Sequence, residues 1–329
     1  MKPTRWVQSL SSVGSAVCLA FLLAGCGADE PVVDDATLPD PGPDGLQLKT
    51  GLIPVASGQE VQNCYFFEVP SDLNVSRITL AQNAGSHHMN VFRVKTIAKL
   101  DGNAGEVVRD GECWNAPNWA DWPLVANSQS TGVEDWTLPD GVALKLSAGE
   151  KIMLQSHYVN ATTQTTPTRG NVVVNFYGLP PGAEFQELGT MFATNQGIEI
   201  CPGQPNRTFE STCGIDRDKN ITLIAASGHF HSRGRRFTMS TYDSMTGESG
   251  PAFYESTSWN EPPFARDLNV PIAAGNKIKW TCEFSVRNDE CGDPAKNCCF
   301  TFGGKVEYQE HCNAFIFYYP RGSSDRVCF

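Results

Sequence analysis

The sequence predicts an all-β architecture of sandwich type, and three observations carry that prediction. Short apolar or alternating runs recur between clusters of Gly, Pro, Asn and Asp; no stretch sustains a helical period; and the folded portion is longer than one core usually serves. In order, the runs are residues 78–80, 90–94, 152–159, 172–177, 221–225, 237–242, 277–284 and 314–319. Each has strand length and is bounded by turn-forming residues, which is the β-sandwich pattern. About 280 residues remain once a leader and a spacer are set aside, enough for two domains. Pro180-Pro181-Gly182 marks the junction, so the halves are expected at 46–180 and 181–329.

The chain opens with Lys2 and Arg5, continues through an apolar stretch at 13–23 and reaches Leu23-Ala24-Gly25-Cys26. This is a secretory leader over residues 1–25, too short to span a bilayer. Its end resembles a bacterial lipobox, which makes Cys26 the lipidated N-terminus of an exported protein. The expected location is the bacterial cell envelope, on the outer membrane facing the periplasm or the surface. An ordinary signal peptide ending near a cysteine also exports the chain. Residues 26–45 are acidic and Pro-rich without an aromatic residue, the composition of a disordered spacer.

Export changes how the twelve cysteines read. With Cys18 in the leader and Cys26 lipidated, an even number remains, which in an oxidising compartment indicates five disulfides. Cys298 and Cys299 are adjacent and take different partners, because a bridge between neighbours is strained. The formal net charge is −11, and the leader carries positive charges only, so its loss makes the protein more acidic. Such a chain has no electrostatic footprint for nucleic acid.

All six histidines fall into four groups: His87-His88, His157, His229-Phe230-His231 and His311. They divide into two sets of three, the ligand count of a metal site with an open position. With a period of two, His229 and His231 share a face with Leu223, Ala225 and Ser227. His87 and His88 are neighbours and point to opposite faces of a regular strand, so Gly85-Ser86 must supply a bend or bulge if both are to bind one metal. Strand histidines such as His157 are commonly core residues and become ligands only with a partner from elsewhere. A cupin needs a carboxylate soon after His-x-His, where this chain has Ser232-Arg233-Gly234-Arg235-Arg236. A three-histidine zinc hydrolase needs a general base near the pair, and none is evident.

Taken together, Ser86-His87-His88-Met89, Leu154-Gln155-Ser156-His157-Tyr158, His229-Phe230-His231 and Glu310-His311-Cys312-Asn313 with Phe317-Tyr318-Tyr319 resemble the successive signatures of the copper type II ascorbate-dependent monooxygenases. The peptidylglycine α-hydroxylating and dopamine β-monooxygenases are members of that family. The resemblance covers roughly residues 50–329. It implies two tandem antiparallel jelly-roll-like β-sandwich domains, each supplying one copper across an open, solvent-filled cleft. His87, His88 and His157 match the electron-transfer copper. His229, His231 and His311 match the catalytic copper, where O2 is used to hydroxylate a substrate C–H bond. The implied cofactors are two coppers per chain, magnetically independent, with ascorbate as reductant. The implied disulfides are Cys64 with Cys113, Cys213 with Cys328 and Cys282 with Cys312, leaving Cys201, Cys291, Cys298 and Cys299 to pair among themselves.

Two departures qualify the implication. The family carries methionine where this chain has His311, and imidazole is a harder ligand than thioether, so a lower copper potential is expected there. The positions that hold a substrate carboxylate in the peptide-hydroxylating member are Ser227, Asn313 and Phe315 here, so only Asn313 is kept. Without the bidentate arginine a peptidylglycine substrate is disfavoured. The sequence therefore yields a monooxygenase acting on a small molecule or peptide, or a non-catalytic exported copper-binding or storage lipoprotein on the same scaffold.

Overall fold

A computed structural model of the chain describes residues 35–95, 103–109, 113, 122–160, 168–204, 206–216, 218–322 and 325–329. The leader and Cys26 lie outside the described residues. From Val33 to Phe329 the chain is one compact unit. The described residues are all-β and nearly devoid of helix, and each of the eight apolar runs lies wholly or almost wholly within a strand.

Residues up to 187 make two large sheets. One has the order Gly45–Lys49, Val172–Gly178, Leu73–Gln82, Val142–Leu146 and Gln186–Glu187, with Gly132–Thr137 added beside Leu73–Gln82. The other runs Val107–Arg109, Glu60–Glu68, Lys151–Val159, Ser86–Arg93 and Leu124–Ser128. Residues from 189 make a second pair. Val270–Ile272, Ile221–His229, Asn313–Tyr319, Gly189–Thr194 and Arg326–Cys328 form one sheet; Arg207–Gly214, Lys277–Phe284, Gly234–Tyr242 and Ser249–Ser256 form the other. Most pairings are antiparallel, and neighbours are often far apart in sequence, so crossovers rather than simple hairpins build the sheets. Alternation along each strand sends apolar side chains into the core. Lys277–Phe284 shows it plainly, with Ile278, Trp280, Cys282 and Phe284 buried and the residues between them half-buried.

Two hydrophobic clusters follow from these sheets, and one of them crosses the middle of the chain. The first, centred on residues 48–188, also takes in Phe192, Ile224, Ala225, Phe315 and Phe317. Trp136 meets Phe317 edge-on with ring centroids 4.9 Å apart and meets Phe264 at 5.3 Å. Arg266 reaches Glu134 at 2.8 Å and donates to the Asp135 carbonyl. A period of two carried back from the strand Asn313–Tyr319 would set Phe315 beside His311, but Phe315 packs in a core against Phe192. The reason is local: the strand begins at Asn313, and His311 precedes it in irregular backbone.

The end of the supposed spacer also differs from expectation. Asn171 exchanges hydrogen bonds with the Ala36 backbone in both directions, and Asn175 Nδ2 donates to the Pro39 carbonyl at 2.7 Å. Side-chain amides thus fix a stretch whose own composition gives it no core.

The disulfides are Cys64–Cys113, Cys201–Cys299, Cys213–Cys328, Cys282–Cys312 and Cys291–Cys298. The three implied pairs are among them, and the neighbours Cys298 and Cys299 take different partners.

Candidate metal centre

The local backbone explains how adjacent histidines come to one place. Lys151–Val159 pairs antiparallel with Ser86–Arg93 so that His157 faces His88 and Tyr158 faces Ser86. His87 is the extra residue of a β-bulge, which breaks the alternation and re-aims one side chain. Gly85, at φ +89°, makes the entry turn that a side chain would strain. This is the bend that the adjacent pair required.

In the second half, His229 ends the strand Ile221–His229 opposite Asn313. Alternation sends Phe230 into the core, stacked on Phe237 with an interplanar angle of 13°, and leaves His229 and His231 on the other face. The Phe230 ring lies over Gly234, where an added Cβ would come within 1.8 Å of it. His311 is held between two anchors on its neighbour: Cys312 is bridged to Cys282, and Trp280 Nε1 donates to the Cys312 carbonyl at 3.2 Å.

These segments bring all six imidazoles into one contiguous cluster. Ring centroids are 5.1 Å apart for His87–His88, 4.7 Å for His88–His157, 5.0 Å for His87–His157 and 4.5 Å for His231–His311. The two sequence sets also touch each other: His87 and His88 lie 5.0 and 4.9 Å from His229, and His87 is 5.5 Å from His231. The expected open cleft between the sets is absent among the described residues. Five histidines are buried and His311 is half-buried, with Phe302 packed on its ring. Trp259, from the loop that carries Arg266, lies against His87 at 5.8 Å.

Among the histidines, the groups whose ligand atoms lie within 4.8 Å of one another are His87, His88 and His229, and then His229, His231 and His311. His229 thus belongs to both. His157 lies beside His87 and His88 but outside these groups; its Nε2 meets Glu60 Oε1 at 2.8 Å. Asn313 is buried next to His229 across the strand pair.

Buried ring nitrogens without a hydrogen-bond partner test whether this arrangement fits a metal. They include His87 Nε2, His88 Nδ1, both nitrogens of His229, His231 Nε2 and His311 Nδ1. Such orphaned atoms are costly in an apolar interior unless a cation takes their lone pairs. Burial depresses every imidazole pKa, to about 3 for His157 and about 4 for His231, so the rings are neutral and available as ligands near pH 7. The donor set is imidazole alone, which suits copper and zinc.

Two carboxylates that sequence reasoning did not assign support the rings. Glu310 is fully buried and accepts from the backbone amides of His231 and Arg233, each at 2.9 Å, while burial pushes its pKa up to about 8. His231 Nδ1 donates to the Gln309 carbonyl at 2.9 Å, which leaves Nε2 as the lone-pair nitrogen. The Arg233 guanidinium is engaged with the protein rather than with solvent. It donates to the carbonyls of Val306 and Glu307 and lies 4.1 Å over the Phe300 ring. Glu307 and Glu310 are close to His311 in sequence, but nothing in the sequence marks Glu60.

The fold and site define an all-β protein with a buried polyhistidine centre. Residues 183–329 match the family described as the C-terminal domain of the copper type II ascorbate-dependent monooxygenases. DBH-like monooxygenase protein 1 of Gallus gallus is 22% identical over 292 residues, covering 82% of this chain and 46% of that protein. The chain thus spans about half the length of this curated relative. Among solved structures, PNGase F, a glycosylasparaginase from Flavobacterium meningosepticum, has a TM-score of 0.36 at 10% identity, covering 83% of this chain and 95% of that one. The exported protein XepA has a TM-score of 0.21 at 10% identity, covering 73% and 87%. Superpositions this loose carry no weight for fold or function.

Proposed function

We propose that this chain is a copper-dependent monooxygenase, using O2 and a reductant such as ascorbate to hydroxylate a C–H bond of a small molecule or peptide. The observation that carries the reading is the convergence of all six histidines in a region whose second half matches the copper monooxygenase family. The reading assigns two coppers per chain, one to His87 and His88 with His157 alongside, the other to His229, His231 and His311. It also takes the halves 46–180 and 181–329 as tandem jelly-roll-like domains. Copper would supply one-electron chemistry toward dioxygen. The protein's part is to hold neutral imidazoles in place, exclude water from the buried rings and present Asn313 beside His229. His311, where the family has methionine, gives the second copper an all-nitrogen environment and a lower potential. Five disulfides support export; lipid anchoring of Cys26 in the bacterial envelope rests on Leu23-Ala24-Gly25-Cys26 alone.

One observation favours a second reading, a non-catalytic copper-binding or storage lipoprotein. The centre is closed in, with His87, His88, His157, His229 and His231 at most 5% exposed. Oxygen uptake by the copper-loaded protein with ascorbate and a panel of candidate substrates separates the two. Substrate-dependent uptake with a hydroxylated product supports the enzyme; stable binding of copper without uptake supports storage.

A further inference from the structure

We propose that Glu60 is a positioning residue of the metal centre: its carboxylate fixes the His157 ring with the lone pair on Nδ1 and ties that ring to the segment leading into His311. The inference deepens the copper reading and rests on it.

Glu60 opens the strand Glu60–Glu68, whose register places Gln62 opposite His157 and Glu60 opposite Val159. Glu60 and Gln62 share a face, so Glu60 is the diagonal neighbour of His157 and within side-chain reach. Its Oε1 lies 2.8 Å from His157 Nε2, with the histidine fully buried and the glutamate side chain 14% exposed. The same oxygen accepts from the Val306 backbone amide at 3.2 Å. An oxygen already accepting a main-chain N–H acts as an acceptor toward the ring as well, so Nε2 carries the imidazole proton. The lone pair is then on Nδ1. A carboxylate behind a ligating histidine is the arrangement that fixes tautomer and ring orientation and raises ligand basicity.

The Val306 contact gives the same carboxylate a second task. Val306 is 246 residues away in sequence, and its carbonyl accepts from Arg233. Three residues on, the Gln309 carbonyl accepts from His231, and Glu310 accepts from the His231 and Arg233 amides before the chain reaches His311. One oxygen of Glu60 therefore touches a histidine of the first set and the backbone that orients the second. Neither contact is local, and a buried carboxylate is costly unless such donors satisfy it.

The test uses the full chain with Glu60→Ala, Glu60→Gln and Glu60→Asp, prepared metal-free and then titrated with copper against a competing chelator. The 15N spectrum of histidine-labelled metal-free protein reports the ring tautomer. Glu60→Ala is expected to weaken one of two copper equivalents by about 10- to 100-fold and to move one ring from the Nε2–H to the Nδ1–H form. Glu60→Gln keeps an acceptor oxygen and should stay close to wild type in both. If the alanine variant does not fold, Glu60→Asp, with its carboxylate withdrawn by one methylene, should weaken the same equivalent with an unchanged circular dichroism spectrum. Unaltered affinity and tautomer in the alanine or aspartate variant overturn the proposal, as does an equal loss of both equivalents in every variant. A wild-type protein that binds no copper overturns the copper reading instead, and the tautomer comparison still judges Glu60.

Discussion

The two halves of the histidine cluster are built by different means. In the first, a bulge re-aims His87, cross-strand pairing sets His88 against His157, and a side-chain carboxylate faces His157 Nε2. In the second, main-chain groups do the holding: a carbonyl orients His231 through Nδ1, two amides converge on Glu310, and a disulfide with a Trp280 hydrogen bond pins the residue after His311. The first half rests on strand register and one side-chain carboxylate, so a change at that carboxylate should do local damage. The second depends on backbone placement, so damage there spreads through its core.

The largest effect is expected where the comparison breaks down, at His229, which belongs to both ligand groups. His229→Ala should cost both copper equivalents, each by about 100-fold or more, because a lost ligand exceeds the loss of a supporting group. His157→Ala should cost one. Copper-to-protein ratios after dialysis against a chelator check this, and retention of one tight copper in His229→Ala would show that the imidazole is not shared. The ring contacts also predict that oxidised, doubly loaded protein gives coupled EPR signals; two independent type II spectra would mean that the sets separate when loaded.

Removing the Cys282–Cys312 bridge by a double alanine substitution should destabilise the protein by about 2–5 kcal/mol in denaturant titration. On the backbone-based view it should also weaken the copper held by His229, His231 and His311 while sparing the other equivalent. Equal weakening of both would erase the distinction between the halves.

Acid should act on both. Buried histidines with depressed pKa values contribute stability that is present above the unfolded value near 6.5 and is lost as pH falls toward about 4 for His231 and about 3 for His157. Each such histidine steepens the loss by about 1.4 kcal/mol per pH unit. Glu310, with its raised pKa, has the opposite sign: its contribution is present below 4.5 and is lost as pH rises through about 8. Metal-free protein should therefore be most stable around neutrality and unfold steeply below pH 6, as followed by circular dichroism. A flat profile down to pH 4 would mean that the rings are solvated.

The smallest expected change is at His311. Methionine there should leave copper bound, shift it toward Cu(I) and add a copper–sulfur shell to X-ray absorption of the reduced protein. Unchanged spectra would remove His311 from the ligand set.

Much of this was legible in the sequence where the determinant is local. The eight strand runs are periodic, the need for a bend before His87-His88 follows from alternation, and Gly85 supplies it. A period of two does not place Phe315 relative to His311, because His311 is not in a strand. The engagement of Arg233 is not legible in the sequence, because its acceptors, Val306 and Glu307, lie more than 70 residues away. Glu60 meets His157 across 97 residues and Val306 across 246, separations that no pattern rule reaches. Contact between the two histidine sets belongs to the same class, since it depends on how sheets from distant parts of the chain pack.

The bulge at His87 has a consequence for how this chain can vary. Strand pairing counts residues by parity, and the surplus residue at this corner is what lets neighbouring imidazoles serve one centre while residues 88–93 keep their inward and outward faces. A deletion of one codon between 83 and 87 would remove that surplus without touching an apolar residue of the strand core. The protein would then have to choose between a regular ladder and its histidine pair. Surface loops in general absorb such length changes readily; at this corner a single-residue indel amounts to loss of the centre.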